Sequence, residues 1–284
     1  MNKNIFTVMK SFAMIVVLSI VILSQIISNK KILSLIDKEE VGVNESQENM
    51  LVSQFSIDSW ETIIDNVKNG NIDYYKVGDI KEIDLGEYGK HIVRISNMSI
   101  PEECSDKSFS QTACGFVIEF ADIIINYQIN EININVGGWP SSKIRKYINY
   151  DIYNAFPVEL KKGIIETKVV SGNGSTKGET NFVSNDKLYL LSTAEVWKQG
   201  KLNKIYYDNA RHITRQLDYY FNLGVSTTNF SKAIKQYNSS NAFWWLRSAD
   251  SYNDVDFCYA NDVGDWHNVG AIAYGGISPA FRIG

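Results

Sequence analysis

The sequence lacks the patterns on which several common activities depend. Its three histidines and three cysteines are scattered, and the absence of any Cys-x-x-Cys pair argues against a structural zinc site. There is no Gly-x-Ser-x-Gly elbow, and nothing else in the sequence indicates a catalytic residue. With 28 Lys and Arg against 32 Asp and Glu, the net charge of −4 provides no basic surface for nucleic acid. These absences favour a protein that is not an enzyme, holds no metal or cofactor and binds no nucleic acid.

The glycine-rich stretch at residues 172–178 also lacks a feature that nucleotide binding requires. The Gly-Lys-Ser/Thr order of a phosphate loop is missing, and no helical pattern follows the stretch. We interpret it as a surface loop and reject nucleotide binding.

One long apolar run is present near the N-terminus. Residues 11–28 carry no charge, follow Lys3 and Lys10, and are not followed by a small-x-small cleavage pattern. We therefore predict an uncleaved, single-pass membrane anchor at residues 1–28, with a removed signal as the alternative. A polar stalk at residues 29–54 would connect the anchor to a single globular domain at residues 55–284, located outside the cell membrane.

Two of the three cysteines enclose a short loop. Cys104 and Cys114 are separated by nine residues and could form a disulfide in an exported protein. Two reduced, buried thiols are the alternative, and Cys258 would remain single in either case.

Apolar spacing predicts helices in the middle of the chain and strands towards both ends. A helix should begin after a cap at Asp58 and end at Gly70. A second helix should follow a cap at Ser141 or Ser142, and another should occupy residues 208–222. Strand patterns occur at residues 80–85, 91–96 and 116–125. The fold class predicted from this order is α+β, with a mainly antiparallel sheet and flanking helices.

The most informative stretch is residues 244–283, where two apolar ends flank a polar, aromatic middle. Side chains of Asp, Asn, Tyr, Trp and His are those that make adaptable contacts at recognition surfaces. Strand alternation leaves the ligand-facing set uncertain by one register. The candidate ligand-binding residues are Tyr252, Asn253, Asp254, Tyr259, Asn261, Asp265, Trp266, His267 and Tyr274.

The same stretch raises two questions about charge. Its clustered Asp and Asn oxygens could bind calcium, but the EF-hand order fails, so a solvated acidic loop is the favoured interpretation and calcium the alternative. Arg247 and Arg282 could contact an anionic ligand, but we favour structural arginines paired with carboxylates or strand-end carbonyls.

Four sequence blocks resemble a family of uncharacterised bacterial and phage surface domains. They are GGWPSS with a following Arg, DKLYLLS with EVW, WLRS, and SPAFRI, in that order. The closing block is similar to C-type-lectin-like domains, which include diversified receptor-binding proteins and formylglycine-generating enzymes. The motif residues are Trp139, Arg145, Trp245, Arg247, Pro279 and Phe281.

The resemblance implies a C-type-lectin-like body that binds a ligand through residues 251–274. The chain departs from the oxidase relatives, which use a pair of nearby cysteines, because only Cys258 lies in the C-terminal part. It also lacks the Glu-Pro-Asn and Trp-Asn-Asp triplets of calcium-dependent lectins. We therefore expect a receptor- or adhesin-like module for an extracellular glycan, protein or envelope polymer. The alternatives are an exported envelope hydrolase, a degenerate oxidase, or a purely structural surface protein.

Overall fold

The computed structural model describes residues 53–177, 180–200, 204–205 and 207–284. Residues 53–284 belong to one compact unit. No helix within the described ranges combines the length and the apolar composition needed to cross a bilayer. The predicted anchor lies outside these ranges, so the transmembrane helix in our predicted architecture has no support in the structure.

Fourteen strands in the described part of the chain form two five-stranded sheets and two hairpins. The first sheet has the order β1-β2-β3-β14-β5, and the second has the order β12-β11-β10-β13-β4. All neighbours are antiparallel except β10 and β13, which are parallel. The strands are β1 Ile80–Asp84, β2 Lys90–Asn97, β3 Val117–Phe120, β4 Ile125–Tyr127, β5 Ile164–Ile165, β6 Thr167–Ser171, β7 Phe182–Asp186, β8 Lys235–Tyr237, β9 Ser240–Ala242, β10 Trp244–Ala249, β11 Asp256–Ala260, β12 Trp266–Gly270, β13 Gly275–Ile277 and β14 Ala280–Ile283.

One antiparallel ribbon passes through both sheets and joins them. β3 continues into β4 and pairs with β14, while β13 leads into β14 and pairs with β4. Between the paired segments, the Phe120 amide donates to the Pro279 carbonyl and the Ile124 amide donates to the Ile277 carbonyl. The SPAFRI motif is therefore the point at which the chain crosses from one sheet to the other.

The helices are few and short, which corrects the predicted α+β, C-type-lectin-like class with flanking helices. The structure is β-rich, with curled antiparallel and mixed sheets. A helix of ten residues, Trp60–Asn69, is the longest in the described ranges. The others are Gln54–Ile57, Gly138–Ser141, Lys143–Tyr147, the π-helix Ile148–Ile152, Val158–Lys161, Thr193–Val196 and Asp218–Asn222, with 3-10 turns at Gly86–Tyr88, Glu102–Ser105, Gln111–Ala113, Arg211–Ile213 and Ser231–Ala233.

Local capping explains which helix predictions held. The helix Trp60–Asn69 is confirmed, but Ser59 caps it rather than Asp58, and Gly70 ends it at a positive φ of 73°. The predicted helix at residues 208–222 is wrong over its first ten residues, because the α-helix begins at Asp218. Its start is a loop because the Asp208 carboxylate accepts the Ala210 amide, which gives the backbone a turn in place of a helical bond.

Strand β13 contains two adjacent glycines, Gly275 and Gly276. A Cβ on Gly275 would lie 2.0 Å from the Phe243 ring, and one on Gly276 would lie 2.6 Å from Ile123. These glycines allow close packing of side chains against the strand.

Candidate ligand-binding site

A cavity of about 340 Å³ opens beside the edge strand β12. We call it the aromatic cleft, and its lining residues are Tyr207, Asp265, Trp266, His267 and Asn268. Its volume falls in the range of small-ligand sites. Four other cavities of about 330 to 440 Å³ lie in the described part of the chain, so volume alone does not single this one out. Its chemistry does.

Two aromatic rings, those of Tyr207 and Trp266, line this cleft, and the Tyr252 ring packs against Tyr207 beside it. The centroid of the Tyr207 ring is 5.6 Å from that of Trp266 and 5.2 Å from that of Tyr252, at interplanar angles of 47° and 83°. Tyr252 is 71% exposed, while the other two rings are half-buried. Edge-to-face contacts fix the ring orientations and leave ring surface open to solvent.

Strand alternation divides the predicted ligand set between two faces of the sheet. Trp266 and Asn268 are on the same face of β12, whereas His267 projects from the other face opposite Tyr259 on β11. The Tyr259 ring lies 5.9 Å from the His267 ring and packs against Trp245 at 6.2 Å. Tyr259 therefore belongs to the opposite face, and His267 reaches the cleft at its rim.

The remaining predicted residues have structural roles or lie apart. The Asn261 side chain accepts the Val263 and Asp265 amides and so forms the β11–β12 turn. Asn253 accepts the Val255 and Asp256 amides. Tyr274 is exposed and is not among the residues that line the cleft.

The side chain of the buried Asn135 holds the loop at residues 250–256 by hydrogen bonds. Asn135 Nδ2 lies 2.9 Å from each of three carbonyl oxygens, those of Asp250, Asn253 and Asp256. The Asn135 backbone amide also donates to the Asp254 carbonyl at 2.7 Å. Four carbonyls of an Asp- and Asn-rich loop therefore converge on a single side chain and its own backbone. Asn135 positions Tyr252 at the cleft, and the sequence pattern gave no sign of this role.

Two carboxylates of this loop share their donors. Asn253 Nδ2 lies 3.1 Å from Asp250 Oδ2 and 3.0 Å from Asp256 Oδ2, and the Asn268 amide also contacts both oxygens. Burial raises the pKa of Asp256, and the charge of Asp250 raises it further although Asn253 opposes the shift. These carboxylate oxygens are directed at amide donors, and the described residues include no group of three or more acidic, Cys or His side chains suited to a metal ion. Calcium remains a prediction for experiment.

Arg247 of the WLRS motif is a structural arginine, as we favoured. It is fully buried, and its Nη atoms each lie 2.6 Å from a Glu195 carboxylate oxygen. Although burial alone would raise the pKa of Glu195, Arg247 outweighs it and lowers that pKa. Thr112 and Thr214 complete the shell around the carboxylate. For Arg282, by contrast, no carboxylate partner occurs among the described residues, and its buried Nε has no hydrogen-bond partner there.

The other motif residues belong to the core. Trp139 Nε1 donates to Asp186 Oδ2 at 2.9 Å, and Arg145 Nε donates to the other oxygen of the same carboxylate at 2.7 Å. Trp245 is fully buried and donates to the Tyr127 carbonyl, and Phe281 is fully buried on β14. The motif blocks thus carry the frame of the domain.

Cys104 and Cys114 are joined by a disulfide with a Cα–Cα distance of 5.9 Å. Cys258 is a buried free thiol on β11, and burial raises its pKa well above the ordinary value, with Asp208 and Asp250 adding to the shift. A thiol in this state is a poor nucleophile.

Tyr207 is the main site residue that sequence reasoning missed. It lies just before the segment at residues 208–222 that the pattern assigned to a helix, and the sequence pattern gave its side chain no role. A signal was present: Tyr207-Asp208-Asn209 and Tyr252-Asn253-Asp254 are the two Tyr-Asx-Asx tripeptides of the sequence. In the structure their tyrosine rings meet edge to face.

Comparison with known proteins adds a family but no function. Searches of curated proteins and of solved structures found no match. Residues 118–284, more than half of the chain, match the family described as Domain of unknown function (DUF6273). This stretch contains both sides of the joining ribbon and every residue of the aromatic cleft. The chain is a member of the DUF6273 family.

Proposed function

We propose that this protein is an extracytoplasmic binding domain that holds a glycan or a glycan-containing envelope polymer in the aromatic cleft. The observation that carries the proposal is a cavity lined by the rings of Tyr207 and Trp266 and edged by Asp265 and Asn268, with the exposed Tyr252 ring packed against Tyr207. The resemblance to bacterial and phage surface domains is part of this proposal.

The chemistry of the cleft suits a ligand that has both apolar and polar faces. A sugar ring presents C–H groups on its faces and hydroxyl groups on its rim. The open ring surfaces of Tyr207 and Trp266 provide apolar contact, and nearby carboxylate and amide groups provide directional hydrogen bonds. Asp265 uses one oxygen to accept the Trp266 amide at 2.9 Å and lies 3.9 Å from His267 through the other. The second oxygen therefore has capacity left for a ligand hydroxyl.

The disulfide supports a location outside the cytoplasm. Disulfides form and persist in oxidising compartments and are rare in the cytosol. Labelling of free thiols in protein from the native cells should detect Cys258 alone, after denaturation. Labelling of three thiols would contradict the extracytoplasmic assignment.

One observation favours the rival interpretation of an exported hydrolase. Two carboxylates that share donors, with the pKa of Asp256 raised, form an arrangement known from acid–base catalysis. In that case, Asp256→Asn would abolish turnover of a bound polymer and leave its affinity nearly unchanged. In a binding domain, no turnover is observed with any variant.

The deciding experiment measures binding of the purified protein to an array of glycans and envelope polymers, with calcium present and with a chelator. The test variant is Tyr207→Ala/Tyr252→Ala. The matched control is Tyr274→Ala, because Tyr274 is 67% exposed, close to the 71% of Tyr252, but lies off the cleft. We expect the test variant to lose binding by at least tenfold, on the scale of one or two lost aromatic contacts. Equal binding by the test variant and the control would contradict the site.

A further inference from the structure

A second cavity, of about 330 Å³, lies between Arg211 and Phe221. We call it the cationic pocket. It is lined by Ala194 of helix Thr193–Val196 and the three residues after that helix, by Arg211 and residues 214–216, and by Phe221. The pocket has no part in the proposed glycan site.

Its charge is of one sign. Lys198, Arg211 and Arg215 line it, and no Asp or Glu is among the described residues that do. Arg215 lies 3.5 Å from Asp218, but both oxygens of that carboxylate already accept shorter bonds from Met98 and Ser99. In a chain with a net charge of −4, three cations around one cavity create a local field that attracts anions.

Arg211 is held in place by neutral groups. Its Nη1 donates to Thr193 Oγ1 and its Nη2 donates to the Trp197 carbonyl, each at 2.8 Å. No ion pair of Arg211 occurs within the described ranges. Burial lowers its pKa, and Asp208, which is bonded to the same Thr193 hydroxyl, opposes the shift. A partly buried guanidinium without a directly bonded counter-ion gains free energy when an anion binds beside it.

The pocket also has an apolar side. Phe221 is 58% exposed at its edge, and Ala194 and Trp197 form part of its lining. A bound anion with an apolar body would cover the Phe221 ring while its head contacts the three cations.

We propose that the cationic pocket binds a phosphate monoester, with the phosphate among Lys198, Arg211 and Arg215 and the organic part against Phe221. Three cations suit a dianionic phosphate better than a singly charged carboxylate, and a planar guanidinium can donate two parallel hydrogen bonds to it. Lipid headgroups and soluble phosphate esters share this chemistry.

Isothermal titration calorimetry at constant ionic strength tests the proposal. The probes are phenyl phosphate, inorganic phosphate and benzoate, titrated into the full-length protein. We expect phenyl phosphate to bind at least tenfold more tightly than benzoate and more tightly than inorganic phosphate. A vesicle arm that contains phosphatidic acid distinguishes a lipid headgroup from a soluble ester.

The test variant is Lys198→Ala/Arg215→Ala, which leaves the hydrogen bonds of Arg211 in place and should fold. The control is Lys107→Ala/Lys232→Ala, which removes two exposed cations elsewhere and changes the net charge equally. Loss of phenyl phosphate binding of tenfold or more in the test variant alone supports the pocket. Equal loss in both variants, or no binding by the unmodified protein, overturns it. Glycan binding is measured on the same samples, so a failure of this pocket is separable from a failure of the aromatic cleft.

Discussion

The core around Glu195 and the aromatic cleft use similar residue types in opposite ways. Around Glu195, a buried carboxylate meets Arg247 through two bonds of 2.6 Å, and two threonine hydroxyls and the Ser192 amide also donate to it. At the cleft, Asp265 keeps one oxygen with only a distant neighbour, and Tyr252 leaves 71% of its surface exposed. Polar groups that support a fold have partners inside the protein, whereas polar groups available to a ligand retain unused capacity.

The second buried cluster strengthens this contrast. Glu119 accepts from Arg94 at 2.9 Å, from Lys235 at 2.9 Å and from Tyr220 at 3.0 Å, at the place where the two sheets meet. Burial lowers the pKa of Lys235 to about 8, and Glu119 acts against this shift. Both charged clusters thus tie separate elements together and are closed to ligands.

The largest effect should come from breaking the Glu195 pair. In Arg247→Met, the carboxylate would remain buried without its cation, and we expect a loss of about 3–5 kcal/mol in the free energy of unfolding. Urea titration followed by Trp fluorescence measures this loss. The double variant Arg247→Met/Glu195→Leu removes both charges and should recover part of the stability. A single variant as stable as the unmodified protein would contradict the structural role of the pair.

Asn135 connects the core to the cleft, so its removal should affect both. Asn135→Ala leaves three carbonyls without a side-chain donor, and we expect a loss of about 2–3 kcal/mol together with weaker glycan binding, because Tyr252 is no longer positioned. Urea titration and array binding on the same preparation measure the two effects. Asn130→Ala is the control, since Asn130 is in the same segment and its side chain bonds to the Lys143 amide and the Ile134 carbonyl, away from the loop at residues 250–256. Unchanged binding in a destabilised Asn135→Ala protein would show that the loop positions no ligand contact.

A smaller, pH-dependent effect should come from His91 in the first sheet. Burial disfavours its charged form, but Asp122 and the Tyr88 carbonyl outweigh burial and raise the pKa of His91 above 6.5. Both partners are acceptors, at 3.0 and 2.9 Å, so the doubly protonated ring makes both bonds. The resulting stability is complete below about pH 6.5 and is lost as the pH rises through the raised pKa of the folded state.

Urea midpoints between about pH 5.5 and 8.5 test this. We expect His91→Gln to flatten the decline and His212→Gln, an exposed histidine, to leave it unchanged. If stability declines with the same slope in the unmodified protein and in both variants, groups other than His91 cause the decline.

The smallest stability effect should be at the cleft itself. Tyr252→Ala and Tyr274→Ala each remove an exposed ring, and we expect both to change the unfolding free energy by about 0.5 kcal/mol or less. Only the first should weaken glycan binding. A destabilisation of several kcal/mol in Tyr252→Ala would show that Tyr252 supports the fold and is not simply an exposed ligand contact.

The sequence by itself determined the local features. The helix Trp60–Asn69 and its glycine end follow from apolar spacing and capping, and the polar, aromatic character of residues 249–274 is visible directly. The preference for a structural Arg247 was also correct, because a charged residue in an apolar strand requires a buried partner. In each case the deciding interactions are close in sequence or are imposed by burial alone.

The tertiary structure decided the class of the fold and the composition of the site. Residues 208–217 form turns and a loop in place of the predicted helix. Tyr207, just before them, packs against Tyr252 and Trp266. The predicted ligand-binding residues lie on two faces, because alternate residues of β11 and β12 face opposite sides of the sheet. Asn135 and the loop that it holds are 115 or more residues apart, and no local pattern reports a contact over that distance. Only the folded chain, in which separate segments are brought within hydrogen-bonding distance, reveals which polar groups are already paired and which remain available to a ligand.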